Sequence, residues 1–211
     1  LGAELRQLEN KQWEQITLPH TPFVEPLTVL HQWQGICYYK KKITITPEEA
    51  KKHIWIEFEG AMHLADVWIN GKHVMQHAGG YTPFVVDATG LLKTGKENEL
   101  LVRLDNRNNS LIPPGKPLET LDFCYYGGIY RNVHLIAKAD VHITHPILDG
   151  HPAGAGIFIT YPKVSQELSV VDAKTEIKNT SDKEKVVELR HTLYTWKKQK
   201  GKDKKVQNIS E

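Results

Sequence analysis

DVWINGKHVMQHAGGYTPF, residues 66–84, joins two extended runs through a two-residue turn and leaves the second through a glycine-rich one. Val67 and Ile69 alternate with Asp66 and Trp68, the period of a half-buried strand. Asn70-Gly71 supplies two residues that accept positive φ at little cost, so the chain reverses in a turn whose twist matches the flanking strands. Gly79-Gly80, followed by Tyr81 and Pro83, marks a further irregular turn, and Asp87-Ala88-Thr89-Gly90 closes the next extended run. The region reads as sheet and turns, with no room for a helix.

The same pattern extends to both sides. Ile54, Ile56 and Phe58 alternate with Trp55, Glu57 and Glu59, and Leu100, Val102 and Leu104 alternate with Leu101 and Arg103. Both segments predict strands with one face in a core. Shorter extended runs fall at Ile43 to Ile45, Val133 to Ala137 and Val141 to Thr144, while Pro47 to Lys52 and Leu91-Leu92 allow single helical turns. Many short strands punctuated by Gly, Pro and Asn imply an all-β sandwich.

A boundary is expected between Lys138 and Pro152, dividing the chain into domains 1–140 and 141–211. Beyond it, Ile157 to Tyr161, Leu168 to Lys178 and Val186 to Trp196 read as longer strands joined by simple turns, the habit of an immunoglobulin-like β-sandwich. Three or four of its roughly seven strands are visible, so the second domain reads as incomplete. The basic run KKQKGKDKK, residues 197–205, reads as a solvated hairpin with Gly201 and Asp203 at its tip.

Composition excludes several partners. Acids and bases nearly cancel in a chain of 211 residues with net charge +2, which offers no case for nucleic acid, and the basic run lacks interleaved aromatics for base stacking. No apolar run approaches the roughly 20 residues needed to cross a bilayer. Two cysteines, Cys37 and Cys124, read as free thiols in preference to a disulfide, because a domain of this size needs no staple. The chain begins at Leu1 with no signal segment, so its start reads as cut and the compartment stays open between secreted or periplasmic and cytoplasmic.

Motifs for common chemistries are missing. The close histidine pairs His73/His77 and His142/His145 fall on strands, where such pairs can face different ways, and neither a Cys-x-x-Cys nor a His-Glu-x-x-His pattern occurs; no metal or other cofactor is expected. Glu57 and Glu59 read as a solvent face, and Asp66, Asp87 and Asp105 as carboxylates that cap backbone amides at strand ends.

Three stretches carry a resemblance. WEQITLPHTP (residues 13–22), the hairpin above and DFCYYGGIYRNVHL (residues 122–135) resemble the amino-terminal domain of glycoside hydrolase family 2, the β-galactosidases, β-glucuronidases and β-mannosidases. The resemblance implies a jelly-roll-like, galactose-binding-like sandwich followed by the start of the immunoglobulin-like domain. It also implies that the catalytic glutamates sit in a barrel domain, for which this chain has neither length nor strand-helix alternation. No catalytic residue is therefore expected here. The complete enzyme would be a retaining, exo-acting β-glycosidase of β-galactosidase type, and a homo-oligomer. Asp122 matches an aspartate on a loop that reaches the barrel and helps hold the terminal sugar. Tyr126 is the second candidate for substrate contact, and Tyr125 and Arg131 are expected to support the loop. Some β-galactosidases send in an asparagine from an earlier loop, yet EPLTVLHQWQG, residues 25–35, contains none; Trp33 in that stretch reads either as a contact to barrel or substrate or as core. Two other readings stand beside this one: a free-standing carbohydrate-binding module, and a structural sandwich without hydrolase activity.

Overall fold

The computed structural model describes residues 8, 11–23, 33–123, 126–151, 155–199 and 202–210, with side chains to residue 194. Its chain contacts gather into two compact units, Leu1–Lys138 and Ala139–Glu211.

The first unit is a two-layer antiparallel sandwich. One sheet holds β1 (Ile36–Ile43), β6 (Asn98–Asp105), β3 (Leu64–Ile69) and β4 (Lys72–Ala78) in that order, and the other holds β5 (Phe84–Asp87), β2 (His53–Phe58) and β7 (Val133–Lys138). The hairpin forms as its sequence requires: Asn70 and Gly71 have φ of 51° and 78°, and Ile69 faces Lys72 across the turn. Every second residue then points inward. Ile54, Ile56 and Phe58 from β2 meet Ala65, Val67 and Ile69 from β3 and Leu100, Val102 and Leu104 from β6 in one core. Phe58 stacks on Phe84 with centroids 4.6 Å apart. Burying such side chains is worth roughly 1.5–3 kcal/mol each, which makes this core the main source of stability.

Alternation understates what is buried. Asp66 and Trp68 lie on the face of β3 away from the core, yet only 2% and 4% of their surfaces are exposed. Asp66 is also no backbone cap. Its carboxylate accepts from His73 Nε2 (3.0 Å), Gln76 Nε2 (2.9 Å) and Arg103 Nη1 (3.5 Å), so cross-strand neighbours shield it. Asp87 and Asp105 do cap amides, those of Thr89 and Arg107. His73 and His77, which a regular strand would set on one face, separate because the β3–β4 register shifts between Met75 and His73: the first binds Asp66 and the second stacks on Phe84.

Strand β1 was not legible, because Lys40-Lys41-Lys42 breaks the apolar alternation. It is an edge strand whose Lys40 and Lys42 pair with Glu99 on β6 and Glu97 just before it. Ile45 follows it as an isolated bridge partner of Thr94. The single turn expected near Pro47 forms at Glu49–Lys51, closed by reciprocal Thr46 and Glu49 bonds. Cys37, on the inner side of β1, is a free thiol that burial pushes up to about 12. Cys124 lies outside the described residues.

The second unit contains three two-stranded pairings: β8 (Val141–Ile143) with β11 (Ile177–Asn179), β9 (Ile157–Lys163) with β10 (Val170–Thr175), and β12 (Leu193–Gln199) with β13 (Lys202–Ser210). The run expected from Leu168 to Lys178 divides between two of these sheets. Of the run from Val186 to Trp196 only the part from Leu193 is strand; Val186, 98% exposed, has no packing to hold it extended. Asp203 belongs to β13 opposite Lys198 and not to a tip, and Gly201 lies outside the described residues.

Asn98 has no exposed surface and ties the core sheet to its loops, accepting from Asn70 Nδ2 (2.9 Å) and Lys93 N (2.7 Å) and donating to the carbonyls of Lys93 and Lys96. Replacement by alanine strands several buried polar groups. Urea unfolding of Asn98→Ala is expected to show a loss of about 2–4 kcal/mol.

Candidate functional site

Asp122 sits on a loop held firmly at both ends. On the way in, the turn Leu118–Thr120 is anchored by Leu118, whose side chain is buried and whose amide donates to Asn108 Oδ1 at 3.0 Å. Leu118 packs with Met62, Leu121 and Tyr130 in a small apolar cluster of its own. On the way out, Gly127, Gly128 and Ile129 are all buried. Met62 N donates to Gly128 O at 2.9 Å, and His20 N to Ile129 O at 2.8 Å.

The two glycines are there because nothing larger fits. A Cβ on Gly127 would lie 2.8 Å from Asn106 Nδ2 and 3.0 Å from the Trp33 ring. Gly128 has φ of 100°, and a Cβ there would lie 2.5 Å from Tyr39 Oη and 2.7 Å from His20 O. Asn106, 1% exposed, joins this anchor to the chain before β1 by accepting from Gly35 N (2.7 Å) and donating to Trp33 O (3.0 Å). Trp33 is thus partly buried packing for the loop's return. The Tyr130 hydroxyl donates to Gly80 O, which fastens the same loop to the turn at residues 79–83.

Asp122 is exposed, no hydrogen bond or ion pair joins its carboxylate to another described residue, and Phe123 beside it is 44% exposed. Tyr126 is half-buried. Arg131 is set on the ring of Tyr130, its guanidinium 6.0 Å from the centroid and its stem against Gly60, and on no carboxylate among the described residues. Tyr125 lies outside the described residues. Sequence reading missed Met62, Asn106, Asn108 and Tyr130, because an isolated Asn or Met in a turn-rich sequence carries no periodic signal. The short DNRNN stretch after β6 was the available clue, since clustered Asn and Asp side chains take over backbone hydrogen bonding in loops.

Charges flank the base of this loop. Burial tends to raise the Asp105 carboxyl, but hydrogen bonds from the Arg107 side chain and backbone, with the Arg107 and Arg103 charges, hold it below its ordinary value. Arg107 grips it with Nε at 2.9 Å and Nη2 at 2.6 Å. Burial depresses the imidazolium of His63, whose Nε2 meets the Arg107 carbonyl at 3.1 Å. No group of three metal-binding side chains occurs among the described residues.

The first unit is thus an antiparallel two-layer sandwich with a loop anchored at both ends, an architecture that unrelated functions share. The model of the glycosyl hydrolases family 2 sugar binding domain matches residues 11–139, and the chain belongs to that family. It is 32% identical to a β-glucuronidase of Formosa agariphila over 84% of this chain and 19% of the relative. A β-galactosidase of Thermoanaerobacter pseudethanolicus is 34% identical over 81% of this chain and 24% of its own length. Among solved structures, a Bacteroides uniformis β-glucuronidase covalently bound to cyclophellitol-6-carboxylate aziridine superposes with a TM-score of 0.66 at 32% identity, over 80% of this chain and 19% of that one. The chain spans about a fifth to a quarter of the length of these relatives, in the non-catalytic amino-terminal region.

Gly128→Ala is expected to destabilise the chain by about 2–4 kcal/mol in urea titrations, combining an unfavourable φ with a clash. A second expectation concerns pH. The Asp105 carboxyl is lowered in the fold, so its stabilisation is present above the unfolded carboxyl value near ~3.9 and is lost as pH falls through the folded one. The stability gap between the wild type and Arg107→Gln should therefore be full at pH 6 and shrink below about pH 4, read by denaturant unfolding at each pH.

Proposed function

We propose that this chain forms part of the wall of a family 2 glycoside hydrolase active site, with Asp122 as the group that contacts the terminal sugar and Tyr126 beside it. The observation that supports this is the contrast within one loop: both ends are clamped by buried glycines, Leu118 and Asn106, while the carboxylate between them is exposed and without a described partner. A structural loop spends its polar groups on itself. A carboxylate held in place but unspent can accept two hydrogen bonds from neighbouring sugar hydroxyls.

The complete enzyme on this reading cleaves terminal β-glycosides with retention, using two carboxyl groups about 5 Å apart in a downstream barrel. Relatives carry both β-glucuronidase and β-galactosidase names, and the glycone of this enzyme is proposed within that pair. The division near residue 140 then separates the sugar-binding sandwich from part of an immunoglobulin-like one. Exposed apolar side chains on β9 and β10, among them Ile157 (56%), Ile159 (48%) and Tyr161 (64%), support a second unit that belongs to a larger sandwich. Homo-oligomerisation of the complete enzyme is part of the same proposal.

Asp122→Ala in the complete enzyme is expected to lower kcat/KM on a terminal β-glycoside by 10²-fold or more, with the unfolding midpoint unchanged. Unchanged kinetics with a lowered midpoint would make the residue a structural cap and overturn the reading.

A further inference from the structure

A pocket of about 300 Å³ opens at one end of the four-stranded sheet, lined by His63, Leu64, Asp105, Arg107, Asn108 and Asn109. The antiparallel register that sets Leu64 opposite Asp105 brings the start of β3 beside the end of β6, and the chain leaving β6 supplies the remaining wall. Its size is at the lower end of small-ligand sites and suits one sugar ring.

The acceptors along this wall are already engaged. Asp105 takes three bonds from Arg107, from N (3.1 Å), Nε (2.9 Å) and Nη2 (2.6 Å), and one from Arg103 Nη2 (3.3 Å). Asn108 Oδ1 accepts from Gln34 Nε2 at 2.7 Å and from Leu118 N at 3.0 Å, and Asn109 Oδ1 accepts from Leu111 N at 2.9 Å. These bonds fix which end of each amide is oxygen. They leave the two NH₂ groups as donors for which no described residue is an acceptor. The Arg107 guanidinium, 58% exposed, adds positive charge, while Asp66 and Asp105 are balanced by Arg103 and Arg107, so no net negative field opposes an anion.

A wall with spent acceptors and available planar donors selects a ligand rich in acceptors. We infer that this pocket is a binding site for the carboxylate of a sugar acid, the uronate class, held by the NH₂ groups of Asn108 and Asn109 and the guanidinium of Arg107. Leu64 offers apolar area for the C–H face of the ring, which a bare carboxylate would not use. The choice of a sugar acid over other carboxylates rests on the carbohydrate reading above.

Substitution by aspartate separates the two halves of each asparagine. Asn108→Asp and Asn109→Asp keep the oxygen that serves the loop and replace the donor with a negative charge. Sodium glucuronate titrated into the 211-residue chain, followed by the side-chain amide resonances, is expected to bind saturably. Each aspartate variant should weaken it by about tenfold or more with the unfolding midpoint kept, and Asp122→Ala should bind as the wild type does. Glucose should bind at least tenfold more weakly for want of the carboxylate, and acetate for want of the ring. Absence of saturable binding overturns the inference, as does equal binding of glucose or acetate or an undiminished affinity in both aspartate variants. Loss of binding in Asp122→Ala alone places the sugar at the Asp122 loop, which overturns this pocket and leaves the proposed function standing.

Discussion

Packing of one sheet's apolar face on the other is the interaction on which everything else in the first unit depends. Ile54, Ile56 and Phe58 must lie against Val67, Ile69, Val102 and Leu104 to leave water, and that requirement fixes which residues of each strand point inward. Once the strands are in register, the ends of β3 and β6 and the start of β7 have set positions. The loops between them inherit those positions, and the Asp122 loop is tied to this core at its exit through Ile129.

The outer face of the larger sheet obeys a second constraint. Asp66, Arg103, Asp105 and Arg107 form a line of alternating charges, three of them on paired strands and largely covered. A single member could not be buried without a partner, because uncompensated charge in a poorly solvated place costs several kcal/mol. The four are tolerated together, and the line ends beside His63 and the asparagines that follow β6. Buried Asn98 and Asn106 apply the same rule to uncharged groups, spending nearly all their hydrogen-bonding capacity on backbone that no strand ladder satisfies.

Function is expected where this satisfaction stops. Asp122 is exposed beside Phe123 while both ends of its loop are anchored, and Asn108 and Asn109 use their oxygens while no described residue accepts from their amide hydrogens. Both places lie outside the core and are carried by chain that it fixes. That arrangement puts exposed polar groups on chain whose ends the core and its anchors hold in place.

Much of the fold was legible in particular residues. Asn70-Gly71 announced its hairpin, and alternation identified the inner faces of β2, β3 and β6, because both signals depend only on local backbone preference and on which side chains leave water. Asp122 was reached through family resemblance, since one aspartate in a turn is indistinguishable from any other by pattern. Strand β1 was hidden by three consecutive lysines, of which Lys40 and Lys42 find their partners Glu99 and Glu97 at positions distant in sequence. The burial of Asp66 and Trp68, the clamp of Asn106 on Gly35 and Trp33, and the setting of Arg131 on Tyr130 all required the tertiary structure. Periodicity reports which way a side chain points along its own strand. What it meets there is decided by chain that arrives from tens of residues away, and only the folded arrangement fixes that encounter.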